Sequence, residues 1–153
     1  MITDAEALAL CCFEEANLEP DEGVAAVARV VLNRTQRCYQ SDGTIQGTIF
    51  HPGAFSWTQY ERVGERYTKV AFNGVEVAGR ATRLLAQARA YNARWGRRLD
   101  ISGRVEAGRF SGPRFDRLTP DVVLYDNLDL TQPDWAIPPK LAVKIGRHSF
   151  FHA

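Results

Sequence analysis

Apolar and small residues run unbroken from Ala7 to Phe13 and stop at two adjacent glutamates, Glu14 and Glu15. The run predicts a helix that is apolar nearly all round, with little of its surface able to face water. Thr3 is placed to cap it, and Glu6 completes a Thr-x-x-Glu capping box. Pro20 must end whatever precedes it, so the last helical turn falls near Glu14 to Asn17. Pro20-Asp21-Glu22 then reads as a second helix start, with proline at the first helical position and acids at the positive end of the dipole. Val24, Val27, Ala28 and Val31 form its stripe, and Asn33 and Arg34 end it. A polar turn at Ser41-Asp42-Gly43-Thr44 separates it from Ile45 to Phe50.

Beyond Pro52-Gly53, which forces a turn, two aromatics flank a hydroxyl in Phe55-Ser56-Trp57. Thr58 to Gly74 mixes charges and aromatics and reads as loop or short helix. Val77, Ala81, Leu84, Leu85, Ala88, Tyr91 and Trp95 repeat at helical spacing, which predicts one long helix with arginines on its other face and Gly96 as its stop. Leu99 to Pro120 holds three glycines and two prolines and reads as a surface excursion. Val122 to Tyr125 is a short strand, Pro133 to Pro139 a loop carrying Trp135 over the core, and Leu141 to Phe151 a hairpin turning at Gly146-Arg147. The expectation is an α+β fold, mainly helical with a small sheet, in one domain over residues 1–153.

The end of the first helix is where chemistry is expected. Leu8, Cys12 and Glu15 share one helical face, whereas Glu14 lies about 100° away. Burial and the negative end of the helix dipole both disfavour a charged carboxylate there, so both raise its pKa, as a general acid working near neutral pH requires. Glu15 is the inward candidate. The bland alternative is a pair of solvated glutamates at a helix end.

Composition narrows the classes. With 153 residues, 45% hydrophobic and 24% charged, the chain suits one globular domain with a real core. No run is long enough to cross a bilayer, and Ala7 to Phe13 is too short for a signal peptide and follows acids where one carries Lys or Arg. The expectation is synthesis in the cytoplasm without an export signal. Three cysteines, two of them adjacent as Cys11 and Cys12, read as small core residues. His51, His148 and His152 lack the spacing of a zinc site, so no metal is expected. The net charge of +1 hides an acidic block over residues 1–23, with seven acids and no Lys or Arg, and ten arginines against three acids over residues 78–117. Such a field suits a polyanion or simply a solvated basic helix face, and no nucleic-acid module accompanies it.

Four segments together resemble a known family. Phe-Glu-Glu-Ala-Asn-Leu-Glu-Pro at 13–20, Val-Ala-Arg-Val-Val-Leu-Asn-Arg at 27–34, Phe-His-Pro-Gly-Ala-Phe-Ser-Trp-Thr at 50–58 and Lys-Ile-Gly-Arg-His-Ser-Phe at 144–150 are similar, in order, to the SleB-type, spore-cortex-lytic cell wall hydrolases. The resemblance implies a lysozyme-like α+β domain that cuts the glycan strand of peptidoglycan, usually as a lytic transglycosylase, with one essential glutamate. Glu15 falls on that glutamate. The chain departs from the family pattern at Glu14, where a glycine is usual, at Asn17 and Leu18, at Leu128, which replaces the proline of Tyr-x-Asn-Pro, and over 97–120, which has no clear counterpart.

On that reading Glu15 is catalytic, and Phe55, Ser56, Trp57, Tyr125 and Asn127 are expected to bind substrate: Ser56, Tyr125 and Asn127 by hydrogen bonds and Trp57 as a stacking wall. Phe55 and Trp57 serve equally well as core, and Ser56 and Asn127 as satisfiers of turn backbones. A hydrolase would need a second carboxylate, for which Asp126 and Asp129 are candidates. A non-catalytic glycan-binding scaffold is the rival class. The resemblance implies peptidoglycan as partner and no cofactor, and the expectation is a monomer with no membrane insertion. The missing export signal suits a phage endolysin or virion-associated lysin, and also a wall enzyme shorn of its flanks.

Overall fold

The computed structural model describes all 153 residues. Helix α1 spans Asp4–Glu15, with the Thr3–Glu6 capping box formed in both directions. Ala7 to Phe13 are all buried, because α2 (Asp21–Arg37), α3 (Ile45–Ile49), α4 (Gly74–Arg89) and α5 (Ala93–Glu106) pack around α1. A helix apolar all round is a central helix, and its length brings two carboxylates to the edge of the core. Pro20 sits one position earlier than the sequence suggests, as the cap preceding α2, where its fixed extended backbone starts the helix without side-chain help.

Five strands form two sheets. β1 (Tyr60–Val63) and β2 (Arg66–Lys69) make an isolated antiparallel hairpin, while β3 (Val122–Asp126), β4 (Leu141–Ile145) and β5 (His148–His152) form an antiparallel sheet in the order β3-β5-β4. The β4–β5 hairpin and β3 lie where the sequence places them, and Trp135 in the intervening loop packs on Phe151 with ring centroids 5.4 Å apart. Two side chains at the end of α2 tie it to the sheet. Asn33 Nδ2 donates to the carbonyls of Thr119 and Val122, and Arg34 Nε donates to that of Val123. This fixes where β3 emerges and hence where Tyr125 points.

The region from 58 to 120 departs from the sequence reading in three places. Thr58 to Gly74 contains the β1–β2 hairpin, whose residues are exposed on both faces and so carry no alternation to read. The single helix expected over 77–95 is two helices, broken at Ala90 to Asn92, where Asn92 takes a left-handed φ of 41°. Tyr91 lies in the break and is 57% exposed, so core packing does not account for it. Gly96 does not stop a helix; it lies inside α5, which runs on to Glu106 through the stretch expected to be a surface excursion. That helix was hidden because two of its inward positions, Arg98 and Ser102, are polar.

The two charge blocks meet at a few points. Arg89 pairs with Glu6, Arg97 Nη2 lies 2.5 Å from Asp21, and the Glu22 carboxylate accepts from the backbone N–H groups of Arg114 and Phe115. Cys38 is exposed, unlike Cys11 and Cys12, because it caps α2 in a left-handed conformation at the surface. No helix is long and apolar enough to cross a membrane.

Candidate active site

The last turn of α1 opens onto a cleft of about 1070 Å³, bordered on one side by β3 and the turn after it and on the other by the Phe55–Trp57 segment and the β1–β2 hairpin. The chain leaving α1 is tied down at once: Arg98 Nη2 donates to the carbonyls of Ala16 at 3.2 Å and Asn17 at 2.8 Å. Buried Arg98 thereby satisfies the Asn17 carbonyl, adds a second partner to that of Ala16, which also accepts from Glu19 N–H, and fixes the chain just after the glutamates.

Glu15 is partly buried, and its Oε2 accepts a 2.6 Å hydrogen bond from the hydroxyl of Tyr125. Burial pushes the Glu15 pKa above the ordinary carboxylate value; the Tyr125 bond and the Arg34 charge pull it down, and the charges of Glu14 and Asp126 push it up. Burial comes first, and the outcome is upward. Tyr125 is itself pushed well above the ordinary phenol value, by burial and by Glu15, so it stays neutral and keeps donating. Glu14 also lines the cleft and is also raised, by burial against the opposing charge of Arg80. Both glutamates lie within α1, and the cleft at its end takes in both despite the angle between them.

All six residues singled out from the sequence, Glu15, Phe55, Ser56, Trp57, Tyr125 and Asn127, border this one cleft. Their surroundings differ from expectation. Tyr125 spends its hydroxyl on Glu15 rather than standing free for a sugar. Trp57 is only 7% exposed and packs edge-on against Phe50, with its indole N–H sealed away from any partner, which leaves little ring face for stacking. Phe55, 3% exposed, lies under the Arg34 guanidinium at 5.1 Å. Ser56 is exposed at the cleft edge in a short 3₁₀ turn, Ser56–Thr58. Asn127 uses Oδ1 to accept from the backbone of Asp129 at 3.1 Å. Asp126 borders the cleft, with one carboxylate oxygen accepting from Asn127 N–H and the other from the Thr131 hydroxyl, whereas Asp129 is exposed and lies outside it.

Several cleft residues were not singled out from the sequence. Arg34 is buried and held by Val123, with Nη1 left without a partner; its signal was a charged residue ending an apolar helix. Arg80 is buried beneath the hairpin, donating to the carbonyls of Trp57 and Tyr60 at 2.9 Å each. His148 packs against Tyr125 with ring centroids 5.2 Å apart, its pKa lowered by burial, so it is neutral at neutral pH. Glu19, beside it, receives the backbone N–H of Arg147. No group of His, Cys, Asp or Glu side chains is arranged to hold a metal ion.

A model of the family described as Cell Wall Hydrolase matches residues 18–151. A spore cortex-lytic enzyme of Oceanobacillus iheyensis is 34% identical over 85 residues, which cover 51% of this chain and 30% of that protein. The alignment therefore spans less than a third of that relative's length. Among solved structures, the catalytic domain of the germination-specific lytic transglycosylase SleB from Bacillus anthracis superposes with a TM-score of 0.60 at 22% identity, over 97% of this chain and 93% of that one. The catalytic domain of the Bacillus cereus SleB protein gives 0.54 at 23% identity, over 97% and 88%. The fold is thus the α+β, lysozyme-like fold of SleB domains.

Proposed function

The chain belongs to the Cell Wall Hydrolase family, and from that premise we propose that it cuts the glycan strand of peptidoglycan between N-acetylmuramic acid and N-acetylglucosamine, as a lytic transglycosylase with Glu15 as its one acid and base. The observation that carries this reading is the bond from Tyr125 to Glu15 Oε2 in a cleft that raises the carboxyl's pKa. With Oε2 engaged, Oε1 is left to hold the proton and present it.

Glu15 gives that proton to the bridging oxygen as the C1–O bond of the muramic residue breaks and oxocarbenium character develops. The leaving sugar departs as a neutral alcohol. The carboxylate, held by the same Tyr125 hydroxyl, then takes the proton from the muramic C6 hydroxyl, whose oxygen attacks C1 and closes a 1,6-anhydro ring. Atoms balance without water, and Glu15 ends protonated as it began. Tyr125 serves both states, donating to the carbonyl oxygen of the acid and to the carboxylate it becomes. Ser56 and Asn127, at the cleft edge, are the polar groups offered to the N-acetyl and hydroxyl groups of the strand.

A hydrolytic variant has some support, because Glu14 and Asp126 border the same cleft as Glu15. A nucleophile would need a carboxyl separation of about 5–5.5 Å and a water-activating base about 6.5–9.5 Å. Weighing the fragments released from purified peptidoglycan separates the readings. Anhydro-muramyl ends are expected; reducing ends would replace the transglycosylase by a hydrolase, and intact strands would overturn both. The finer proposal that the chain acts as a phage-type lysin concerns delivery. It expects lysis of a bacterial host expressing this chain only when a holin is co-expressed, and lysis without one would contradict it.

A further inference from the structure

The β1–β2 hairpin has no core to explain its aromatic residues. Both strands are exposed on both faces, yet Tyr67, 68% exposed, and Tyr60 lie in strands that border the Glu15 cleft. The register pairs Arg62 with Tyr67 and Tyr60 with Lys69, so alternation puts Tyr60, Arg62 and Tyr67 on one face of the hairpin. Those three border the cleft together with Glu61 from the opposite face and Glu65 at the turn, while Val63 and Arg66 at the tip and Lys69 at the base do not. Two four-residue strands alone are marginally stable in water, and this pair is riveted at its base. Buried Arg80 holds the carbonyls of Trp57 and Tyr60 and lies 3.9 Å from Glu61, while the Gln59 carbonyl receives the N–H groups of Val70 and Ala71. The arm is therefore aimed, but nothing within the protein covers its aromatic face.

We propose that this face is a strand-gripping site outside the catalytic centre: Tyr67 stacks on the apolar face of an N-acetylhexosamine ring, and Arg62 takes a carboxylate of the stem peptide attached to the strand. It rests on peptidoglycan being the substrate. A sugar ring offers C–H groups to an aromatic face, and the exposed guanidinium beside that face, whose Nε donates to the Gly64 carbonyl, keeps its Nη groups for a carboxylate of a stem peptide on a muramic residue. Both groups sit on the continuation of the cleft that holds Glu15, so a strand seated there passes over them.

The test uses binding of the Glu15→Gln chain to soluble, uncross-linked glycan strands, with and without their stem peptides, alongside strand cleavage by the chain that retains Glu15. Adding Tyr67→Ala is expected to weaken binding of both strand types about five- to tenfold, the effect of losing one well-covered ring, and Tyr67→Trp to restore it. Arg62→Ala is expected to weaken only strands that keep their stems, and Arg66→Ala neither. Tyr67→Ala binding within twofold of its parent, or an Arg62→Ala loss equal on stripped strands, overturns the site as assigned. Cleavage with unchanged Tyr67→Ala binding sinks the gripping arm and keeps the strand-cleaving reading. Tyr67-dependent binding without cleavage does the reverse, and no binding at all sinks the arm outright.

Discussion

Arg98 and Arg80 are both buried, and each donates to two backbone carbonyls of the segment in front of it: Ala16 and Asn17 for Arg98, Trp57 and Tyr60 for Arg80. Beyond the anchor the two segments differ. Behind Arg98 lies α1, buried from Ala7 to Phe13, and the glutamate at its end is gripped again by Tyr125. Behind Arg80 lies a hairpin exposed on both faces. The contrast separates two tasks. A proton donor must be held in place and partly dried to keep its proton, whereas a surface that grips a long polymer must stay open to it. The same anchoring chemistry supports both.

The sharpest way to break the contrast is at Glu15. Glu15→Gln keeps the shape and an acceptor for Tyr125 but removes the transferable proton, and is expected to cut strand cleavage by at least about 10²–10⁴-fold, read as fragments released from purified peptidoglycan. Activity persisting in this variant would move the chemistry elsewhere, with Glu14 the first alternative. Tyr125→Phe is expected to lower kcat about tenfold, the cost of one hydrogen bond to a charged group, with KM unchanged. Because that bond lowers the Glu15 pKa, its loss raises the pKa further, so the fall in kcat on the alkaline side moves to higher pH; a shift to lower pH would reverse the assigned role of the hydroxyl.

The two anchors should separate kinetically. Arg98→Met leaves the Asn17 carbonyl unmatched and that of Ala16 with Glu19 N–H alone, and is expected to cost about 1–3 kcal/mol, seen as a lower Tm together with a lower kcat. Arg80→Met is expected to raise KM for strands while sparing kcat, because it loosens the grip and not the acid. Equal effects of both on kcat would erase the distinction between the two regions.

The smallest effect concerns stability. Burial raises the Glu15 pKa in the folded chain above its unfolded value. What the neutral carboxyl allows is therefore present in full below the ordinary carboxylate range, and is lost as pH rises through the folded pKa. At neutral pH Glu15→Gln removes that penalty and is expected to raise Tm, each kcal/mol being worth about 2–4 °C at this size. The gain should vanish at acidic pH. A variant less stable than its parent at neutral pH would show that Glu15 helps the fold it was expected to burden.

The helical half of the site was legible because its signals are local. Thr3, Glu6 and the apolar run define α1, and the phase of Leu8 and Cys12 selects Glu15. The grouping of Phe55, Ser56, Trp57, Tyr125 and Asn127 around it came from resemblance, since no local rule links residues so far apart. The hairpin was illegible because a strand pair exposed on both faces has no hydrophobic period, and the break before α5 because Tyr91 and Trp95 continue the phase of α4 across the positive φ at Asn92. The anchoring roles of Arg80 and Arg98 were masked by the number of arginines around them, most of which are exposed.

The most direct test is a titration of the Glu15 carboxyl itself, followed by carbon NMR or by difference infrared against Glu15→Gln. The account predicts a midpoint above the ordinary carboxylate range that climbs further in Tyr125→Phe. A midpoint within the ordinary range, unmoved by Tyr125→Phe, would contradict it.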